Sequence, residues 1–290
     1  MKVAIMTDSN SGITQTEAKE LGIFVLPMPF TINGQEFEED INLTQEEFYD
    51  KLMSGAEVFT SQPAAGEVTR FFDNILKEYD EIVHIPMSSG LSGSCQTALM
   101  LAQEDEYQGK VYVVDSQRIS VTQKWDVYDA LEMSKQGKSA KEIHDTLMTN
   151  KLNATIYITV NTLEYLKKGG RITPAAAALG GLLKIKPILT IQGEKLDSFQ
   201  KTRTMAKANK IMIDATLKDI RERIDPENDD MRNAHIMIAY TYDKEQALEL
   251  KKQVEEVFPN HEVICDPLSL SVACHIGPHS LAVAACKKII

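Results

Sequence analysis

The sequence predicts an α/β protein of two domains, an N-terminal one with a mostly parallel sheet and flanking helices and a C-terminal one with a mixed sheet. The chain has 290 residues, which suits two domains of about 100–200 residues each. Short apolar runs alternate with helical patterns over the first half, an order typical of parallel strands joined by helices. Hairpin and glycine signals appear among the strands further on. We therefore place the domains at residues 1–155 and 156–290.

The first half opens on a predicted strand at 2–6 and a polar turn, after which Thr14 and Glu17 have the spacing of a helix capping box. Asn33 and Gly34, flanked by apolar residues, predict a tight hairpin. A second capping box at 44–47 precedes another helix. The remaining predicted elements are strands at 23–28, 81–86 and 110–114 and helices over 68–76 and after 94.

The second half keeps its α/β character. A helix starting near residue 163 is expected to stop at Gly170, and Pro174 opens a short Ala-rich helix. Gly277 and Pro278 form a turn, in which we place His275 as a turn or strand-end residue. The other predicted elements are strands at 154–160 and 234–241, an antiparallel hairpin at 187–200, and helices at 203–224 and 243–257.

Composition excludes several classes of protein. With 43 % hydrophobic and 25 % charged residues the chain has material for a core, and a net charge of −11 argues against nucleic acid as a partner. No apolar run approaches the roughly 20 residues of a membrane-spanning helix, and the first one is too short for a signal peptide. Four irregularly spaced cysteines predict reduced thiols. We expect a cytoplasmic protein.

Hydroxyl-bearing loops are the most suggestive candidates for a site. Ligands of open α/β sheets bind at the carboxyl ends of strands, where helix N-termini offer unpaired N–H groups to anions. Three such loops on one sheet edge would suit a carboxylate or a phosphate. The competing interpretation is that these side chains cap helices. The residues are Thr60, Ser61, Ser88, Ser89, Ser92, Gly93 and Ser94.

Other chemistries find less support in the sequence. A serine nucleophile elbow would need glycine where Ser94 stands. His275 and His279 are four residues apart, but the Gly-Pro pair between them breaks a helical metal site. His84 lies inside an apolar strand and is expected in the core. No phosphate-binding glycine motif is present, so we expect no nucleotide cofactor and no metal.

Positive charge gathers in one stretch of this acidic chain. Ordinary solvated side chains are one interpretation, and a basic face for an anionic partner or a transient membrane contact is the other. The residues are Lys167, Lys168, Lys184, Lys186, Lys201 and Arg203.

Taken together and in order, these segments resemble the DegV family of bacterial fatty-acid-binding proteins over nearly the whole chain. Each motif is weak by itself, and their shared order is the specific signal. The motifs are Thr7-Asp8-Ser9, Thr60-Ser61-Gln62-Pro63, Ser88-Ser89-Gly90-Leu91-Ser92-Gly93, Asp115-Ser116, Leu166-Lys-Lys-Gly-Gly-Arg-Ile172, Ile185-Lys-Pro-Ile-Leu189 and His275-Ile-Gly-Pro278.

The resemblance implies a carrier that is not itself an enzyme and holds a long-chain fatty acid in a tunnel between its domains. It implies that the carboxylate is presented to a separate ATP-dependent kinase subunit, which makes acyl phosphate. Thr60 and Ser92 would hold the carboxylate, within a network that the resemblance extends to Ser61, Gly93, Arg171 and His275. Ser88, Ser89 and Arg203 would contact the headgroup or the partner.

Three positions differ from the family pattern. Ser120 to Trp125 stand where a small, glycine-containing stretch is usual, and we expect Trp125 to shorten or reshape the tunnel. His279 replaces a small residue, and Thr173-Pro174 replaces Ser-Gly. An enzyme acting on a small anionic substrate, by phosphoryl or acyl transfer, remains the alternative, and a protein-interaction module is a third hypothesis. A long apolar cavity would favour the carrier, and a short polar cleft the enzyme.

Overall fold

A parallel four-stranded sheet organises the N-terminal half, in the order β2-β1-β6-β7. The computed structural model describes residues 2–181 and 185–290. The strands are β1 Val3–Asp8, β2 Phe24–Leu26, β6 Glu81–Ile85 and β7 Val111–Val113. The helices of this half are α1 Gln15–Leu21, α2 Gln45–Met53, α3 Ala65–Ile75, α4 Ser94–Leu101, α5 Val121–Lys135 and α6 Ala140–Asn150.

Alternate residues of β1 enter two different cores, as the period of a strand requires. Val3 and Ile5 pack with apolar residues of α5 and α6, whereas Ala4 and Met6 pack with those of α3 and α4. Both faces of the parallel sheet are therefore covered by helices, which explains its continuous apolar strands.

A small antiparallel sheet, β4-β3-β5, lies beside the parallel one. Its strands are β3 Phe30–Ile32, β4 Gln35–Phe37 and β5 Val58–Thr60. Asn33 and Gly34 join β3 to β4 with positive φ angles of 51° and 81°, the conformation that a two-residue hairpin turn needs. This sheet shares a core with α2 and with Leu270, Ala273 and Cys274.

The C-terminal half forms a mixed six-stranded sheet in the order β10-β9-β8-β13-β11-β12. All neighbours pair antiparallel except β11 and β12. Its strands are β8 Ala154–Thr159, β9 Lys186–Ile191, β10 Asp197–Thr202, β11 Ala234–Tyr240, β12 Val263–Pro267 and β13 Leu281–Lys287. Its helices are α7 Glu164–Gly169, α8 Pro174–Ala177, α9 Met205–Asp219, α10 Lys244–Val257 and α11 Leu270–Ile276.

The two faces of the six-stranded sheet meet different neighbours. Tyr157 and Ile238 pack with side chains of α9 and α10. Ile158 and Ala239, on the opposite face, share a core with Met87 and other residues of the N-terminal half. The sheet is thus covered by helices on one side and faces the first half of the chain on the other.

Polar contacts join the two halves. Nζ of Lys124 in α5, a residue 9 % exposed, lies 3.1 Å from the carboxylate of Glu17 in α1 and 3.1 Å from that of Asp266 in β12. The Ser88 hydroxyl donates to the carbonyl of Gly193 at the β9–β10 turn. A Cβ on Gly90 would lie 2.6 Å from that carbonyl oxygen, so this contact depends on a residue without a side chain.

The predicted fold class is confirmed, whereas some predicted elements need correction. His275 lies in the last turn of helix α11 rather than in a turn or at a strand end. The expected helix at 203–224 ends at Asp219 and continues as a π-helical turn to Ile224. Strands β5 and β13 and helices α5, α6 and α11 were not predicted. The boundary placed near residue 155 falls inside β8 and stays a prediction.

Candidate ligand-binding site

A cavity lies between the two halves and draws its wall from both. It encloses about 1010 Å³, including its opening to solvent. Apolar side chains provide most of the wall. They include Met28, Met87, Leu91, Ile119, Val121, Ile156, Ile158, Leu166, Ile191, Leu196, Ala239, Leu268, Val272, Ile276 and Ala282.

A polar group of residues occupies one part of this wall, which we call the polar end. All six residues that the resemblance places around a carboxylate line the cavity. They are Thr60, Ser61, Ser92, Gly93, Arg171 and His275. They come from four separate places in the chain: the end of β5, the start of α4, the residue after the αL cap of α7, and α11. Folding therefore brings together hydroxyl, guanidinium and imidazole groups that are distant in sequence.

His275 is a neutral hydrogen-bonding group at the polar end. Its Nε2 lies 2.8 Å from the Thr60 hydroxyl. Burial, together with the positive charge of Arg171, lowers the pKa of His275 to about 4. At neutral pH the ring is therefore uncharged and carries a single N–H. Such a ring orients the Thr60 hydroxyl without adding a second positive charge beside Arg171.

Gly169 makes room for His275. A Cβ at this last residue of α7 would lie 2.0 Å from Nδ1 of His275, closer than any van der Waals contact permits. The Gly169 carbonyl also accepts a hydrogen bond of 2.5 Å from Nη1 of Arg171. One glycine therefore sets the positions of both the imidazole and the guanidinium.

Arg171 is fixed by main-chain carbonyls. Besides the bond to Gly169, its Nε donates to the carbonyl of Leu91 at 3.2 Å. These bonds use two of the five guanidinium N–H groups. The other three have no protein acceptor among residues 2–181 and 185–290, and they are available to an anionic ligand.

The hydroxyls of the polar end do not all serve as helix caps. Helix α3 begins after Ala64 with no side-chain cap, so neither Thr60 nor Ser61 caps it. Ser92 accepts a bond of 3.2 Å from the backbone N–H of Ser94 and so does support the first turn of α4. Thr60 also ends a strand of the antiparallel sheet, which corrects the expectation that the hydroxyl loops share one sheet edge.

The remaining predicted contact residues lie away from the cavity wall. Ser88 bonds to Gly193, and the Ser89 hydroxyl donates to Asp115 at 2.6 Å. Arg203 is exposed. Of the basic stretch, Lys168 is 3.6 Å from Glu57, while Lys184 lies outside the described residues. The roles of these residues in headgroup or partner contact stay predictions.

The residues that differ from the family pattern, Trp125, His279 and Thr173, make other contacts than we expected. Trp125 does not line the cavity. It stacks on His235 with ring centroids 3.3 Å apart and packs against the core between the halves. Trp125 therefore does not shorten the space by entering its wall, and the expectation that it reshapes the space stays a prediction. His279 adopts a φ of 59°, a region that disfavours side chains, and Thr173 caps α8 by accepting from the N–H of Ala176.

Sequence reasoning missed three polar residues of the wall: Asn10, Ser120 and Ser271. Asn10 directly follows the Thr7-Asp8-Ser9 motif, so its position was a usable signal. Ser271 lies four residues before His275, on the same face of a helix, and this would have shown had α11 been predicted. Ser120 has a φ of 56°, which no sequence pattern indicated.

The described part of the chain offers no group of three or more His, Cys, Asp or Glu side chains placed to hold a metal ion. Burial lowers the pKa of His84 to about 4, consistent with the core position predicted for it. Cys95, Cys274 and Cys286 are buried free thiols, and Cys265 is partly buried. None of the helices described is long and apolar enough to cross a bilayer.

Comparison with known proteins gives one consistent result. The profile of the DegV family, described as uncharacterised proteins, matches residues 2–288. A DegV domain-containing protein of Staphylococcus aureus is 31 % identical over 288 residues, covering 99 % of each chain. A DegV-family structure from Thermus thermophilus, described as binding fatty acid, has a TM-score of 0.88 at 28 % identity and covers 99 % of this chain and 100 % of that one. DegV of Bacillus subtilis, described as a fatty acid binding protein, has a TM-score of 0.86 at 26 % identity, with the same coverage.

Proposed function

The chain belongs to the DegV family, and from this premise we propose that it binds a long-chain fatty acid in the cavity between its halves. We propose further that it presents the carboxylate to an ATP-dependent kinase subunit. The observation that carries the first part is a mainly apolar cavity with hydroxyls, a guanidinium and a neutral imidazole grouped in one part of its wall. Those two surfaces match the two parts of a fatty acid.

Each part of the ligand has a physical reason to bind. Burying an acyl chain contributes about 25 cal/mol for each Å² of apolar surface removed from water. An ionised carboxylate forms its strongest hydrogen bonds with charged or hydroxyl donors. Ser92 and Thr60 are placed to donate to it, and Arg171 offers opposite charge. The predominantly apolar wall favours this carrier over an enzyme for a small anionic substrate.

The second part of the proposal concerns access to the carboxylate. Thr60, Arg171 and His275 line the cavity and also a shallow surface pocket that includes Phe59 and Lys168. Phe59 is 52 % exposed, and Nζ of Lys168 lies 4.6 Å from its ring centroid. The polar end therefore lies beside a surface that a partner protein could cover. In the proposed step a carboxylate oxygen bonds to the γ-phosphorus of ATP as ADP leaves.

Ser92→Ala tests the headgroup assignment. Losing a hydrogen bond to a charged group should weaken palmitate binding by about 1–3 kcal/mol, measured by isothermal titration of the delipidated protein. Ser94→Ala is the matched control, because Ser94 lies in the same segment and does not line the cavity. Equal affinities of wild type and Ser92→Ala would remove Ser92 from the headgroup role.

The kinase step separates the carrier from the alternative enzyme. Palmitate-loaded protein is incubated with ATP and hydroxylamine, with and without the kinase subunit of a DegV-family system, and acyl hydroxamate is measured. The carrier hypothesis predicts product only when the kinase subunit is present. Product formed by this chain and ATP alone would favour the enzyme. Binding of the kinase subunit with no lipid requirement and no product would favour an interaction module.

A further inference from the structure

A second set of polar side chains lines the cavity, separate from the polar end. It consists of Asn10, Ser120 and Ser271, which we call the inner polar patch. Their exposed fractions are 2 %, 5 % and 5 %. They belong to the 3₁₀ turn after β1, the residue before α5, and helix α11. Buried polar groups in an apolar wall are costly unless they find hydrogen-bond partners, so the presence of three together calls for an explanation.

The three residues form one continuous surface. The Ser271 hydroxyl donates to Oδ1 of Asn10 at 2.6 Å, and the backbone N–H of Ser120 donates to the Asn10 carbonyl at 3.0 Å. Nδ2 of Asn10 lies 2.9 Å from the sulfur of Met87, a weak acceptor. The carboxamide is thereby fixed in place, while one of its two amide protons remains for a better acceptor.

Ser120 points to a ligand independently of these bonds. Its hydroxyl has no hydrogen-bond partner within the described parts of the chain, although the residue is buried and lines the cavity. Its backbone has φ 56° and ψ −134°, a combination that costs free energy for any residue except glycine. A strained residue with an unsatisfied hydroxyl in a cavity wall is what a ligand contact would require.

The patch has a defined position relative to the polar end. Ser271 and His275 are four residues apart on α11, so they lie on one face of the helix. Four residues of α-helix rise about 6 Å. Ser271 bonds to the buried Asn10, whereas His275 also lines the surface pocket. The inner polar patch is therefore about one helical turn further inside than the imidazole.

We propose that the inner polar patch binds an oxygen group carried by the acyl chain near its carboxyl end. The protein would then prefer fatty acids that bear a hydroxyl close to the carboxylate over unsubstituted ones. This inference rests on the proposed function and adds a substrate class to it. A ligand hydroxyl accepts from the free Ser120 hydroxyl or the Asn10 amide, and both donors belong to buried residues.

The test compares palmitate, 3-hydroxypalmitate and 16-hydroxypalmitate by competition binding to delipidated protein. One net hydrogen bond corresponds to an affinity gain of about 3- to 10-fold. Wild type should bind 3-hydroxypalmitate more tightly than palmitate by that factor. The acid with its hydroxyl at the far end should gain nothing. Ser120→Ala and Ser271→Ala should each move the ratio towards one.

Ser280→Ala is the matched control, because Ser280 is also a buried serine of the C-terminal half and does not line the cavity. It should keep the wild-type ratio. A wild-type ratio of one or below would overturn the inference. A bound water that already satisfies the patch would give this same result. A ratio unchanged in both serine variants would overturn it too. Failure to bind any of the acids would instead overturn the proposed function.

Discussion

At the scale of single residues, His275 gives the site a distinctive pH behaviour. Burial lowers its pKa to about 4 in the folded protein, from an ordinary value of 6.5. Between these values the unfolded chain binds a proton that the folded chain does not. The free energy of unfolding therefore rises with pH through this window. The contribution of His275 is complete above about pH 6.5 and is lost as the pH falls towards 4.

We predict that His275→Gln flattens this dependence. Urea unfolding of wild type and variant at pH 4.5, 5.5 and 7 should show that wild type gains more stability with rising pH than the variant does. Glutamine keeps a group able to bond to Thr60 but does not titrate. Identical pH profiles for the two proteins would mean that His275 is not held neutral by the fold.

The family resemblance predicted the residues of the polar end but not those of the inner polar patch, and residue types alone had pointed only to the hydroxyl-bearing loops. The six residues that the family motifs singled out all line one cavity. Hydroxyls, an arginine and a histidine stand out in the sequence because most residues around them are apolar. The sequence did not identify Ser120 as a residue of the cavity wall, because its position there depends on a positive φ and on the approach of Asn10. Neither property follows from composition or spacing, since both are set by how the two halves pack.

At the scale of elements, the approach of α7 to α11 positions residues of the polar end. Gly169→Ala would place a methyl group 2.0 Å from Nδ1 of His275. We predict that His275 is displaced from Thr60 and that palmitate affinity falls by about 10-fold or more, the effect of losing an oriented polar contact. Titration calorimetry measures the loss.

Gly66→Ala is the matched control for this substitution. Gly66 lies in helix α3, and an added Cβ would meet nothing within 4 Å. Alanine favours helix by about 1 kcal/mol over glycine, so this variant should be slightly more stable and bind palmitate normally. If Gly169→Ala also bound normally, α7 would have no part in placing the imidazole.

Glu39 joins the small antiparallel sheet to α11. Its carboxylate accepts from the backbone N–H of Leu270 at 2.7 Å and from Gln45 at 2.8 Å. Burial raises the pKa of Glu39 to about 7 from an ordinary 4.5. Between these values the folded protein binds more protons than the unfolded chain, so this group makes stability fall as the pH rises.

Glu39→Gln should remove that fall while keeping an oxygen for Leu270. We predict that the variant gains stability relative to wild type as the pH is raised from 4.5 to 8, followed by chemical denaturation. A constant difference between the two proteins across this range would show that the Glu39 carboxyl titrates as it does in an unfolded chain.

Strands β5 and β13 and helix α11 were not predicted because each lacks a local sequence signal. Strand β13 reads Leu-Ala-Val-Ala-Ala-Cys-Lys and lies in the middle of its sheet with both faces buried, so it lacks the alternation of a half-exposed strand. Strand β5 has only three residues. Helix α11 is nearly all buried, so it lacks the solvent-exposed charged face by which a surface helix is recognised. The capping boxes at Thr44 and Ser139, by contrast, are local signals, and the one at Thr44 was predicted.

At the scale of the whole molecule, the two halves make the cavity together. Its wall needs Met28 and Ile119 from one half and Ile158 and Ala282 from the other. The hydrophobic share of the sequence predicted a core, but which apolar residues would pack tightly and which would line a space could not be read from it. That distinction depends on the distance between two sheets, which many contacts fix jointly.

Small residues keep the cavity open. Ala239 and Ala282 are directly opposite each other on β11 and β13, and both line the wall. Ala282→Leu should fill part of the space without touching the polar end. Ala284→Leu is its control, because Ala284 is buried in the same core two residues along β13 and does not line the cavity. Overpacking there should cost about 1–3 kcal/mol of stability.

The most direct test of the account is saturable uptake of palmitate by the delipidated protein, measured by titration calorimetry for wild type, Ala282→Leu and Ala284→Leu. The account predicts one acid bound per chain in wild type and in Ala284→Leu. It predicts an affinity at least about 10-fold weaker in Ala282→Leu. The Ala282→Leu variant should be at least as stable as wild type. A folded wild type that takes up no acid, or an Ala282→Leu variant that binds as tightly as wild type, would contradict it.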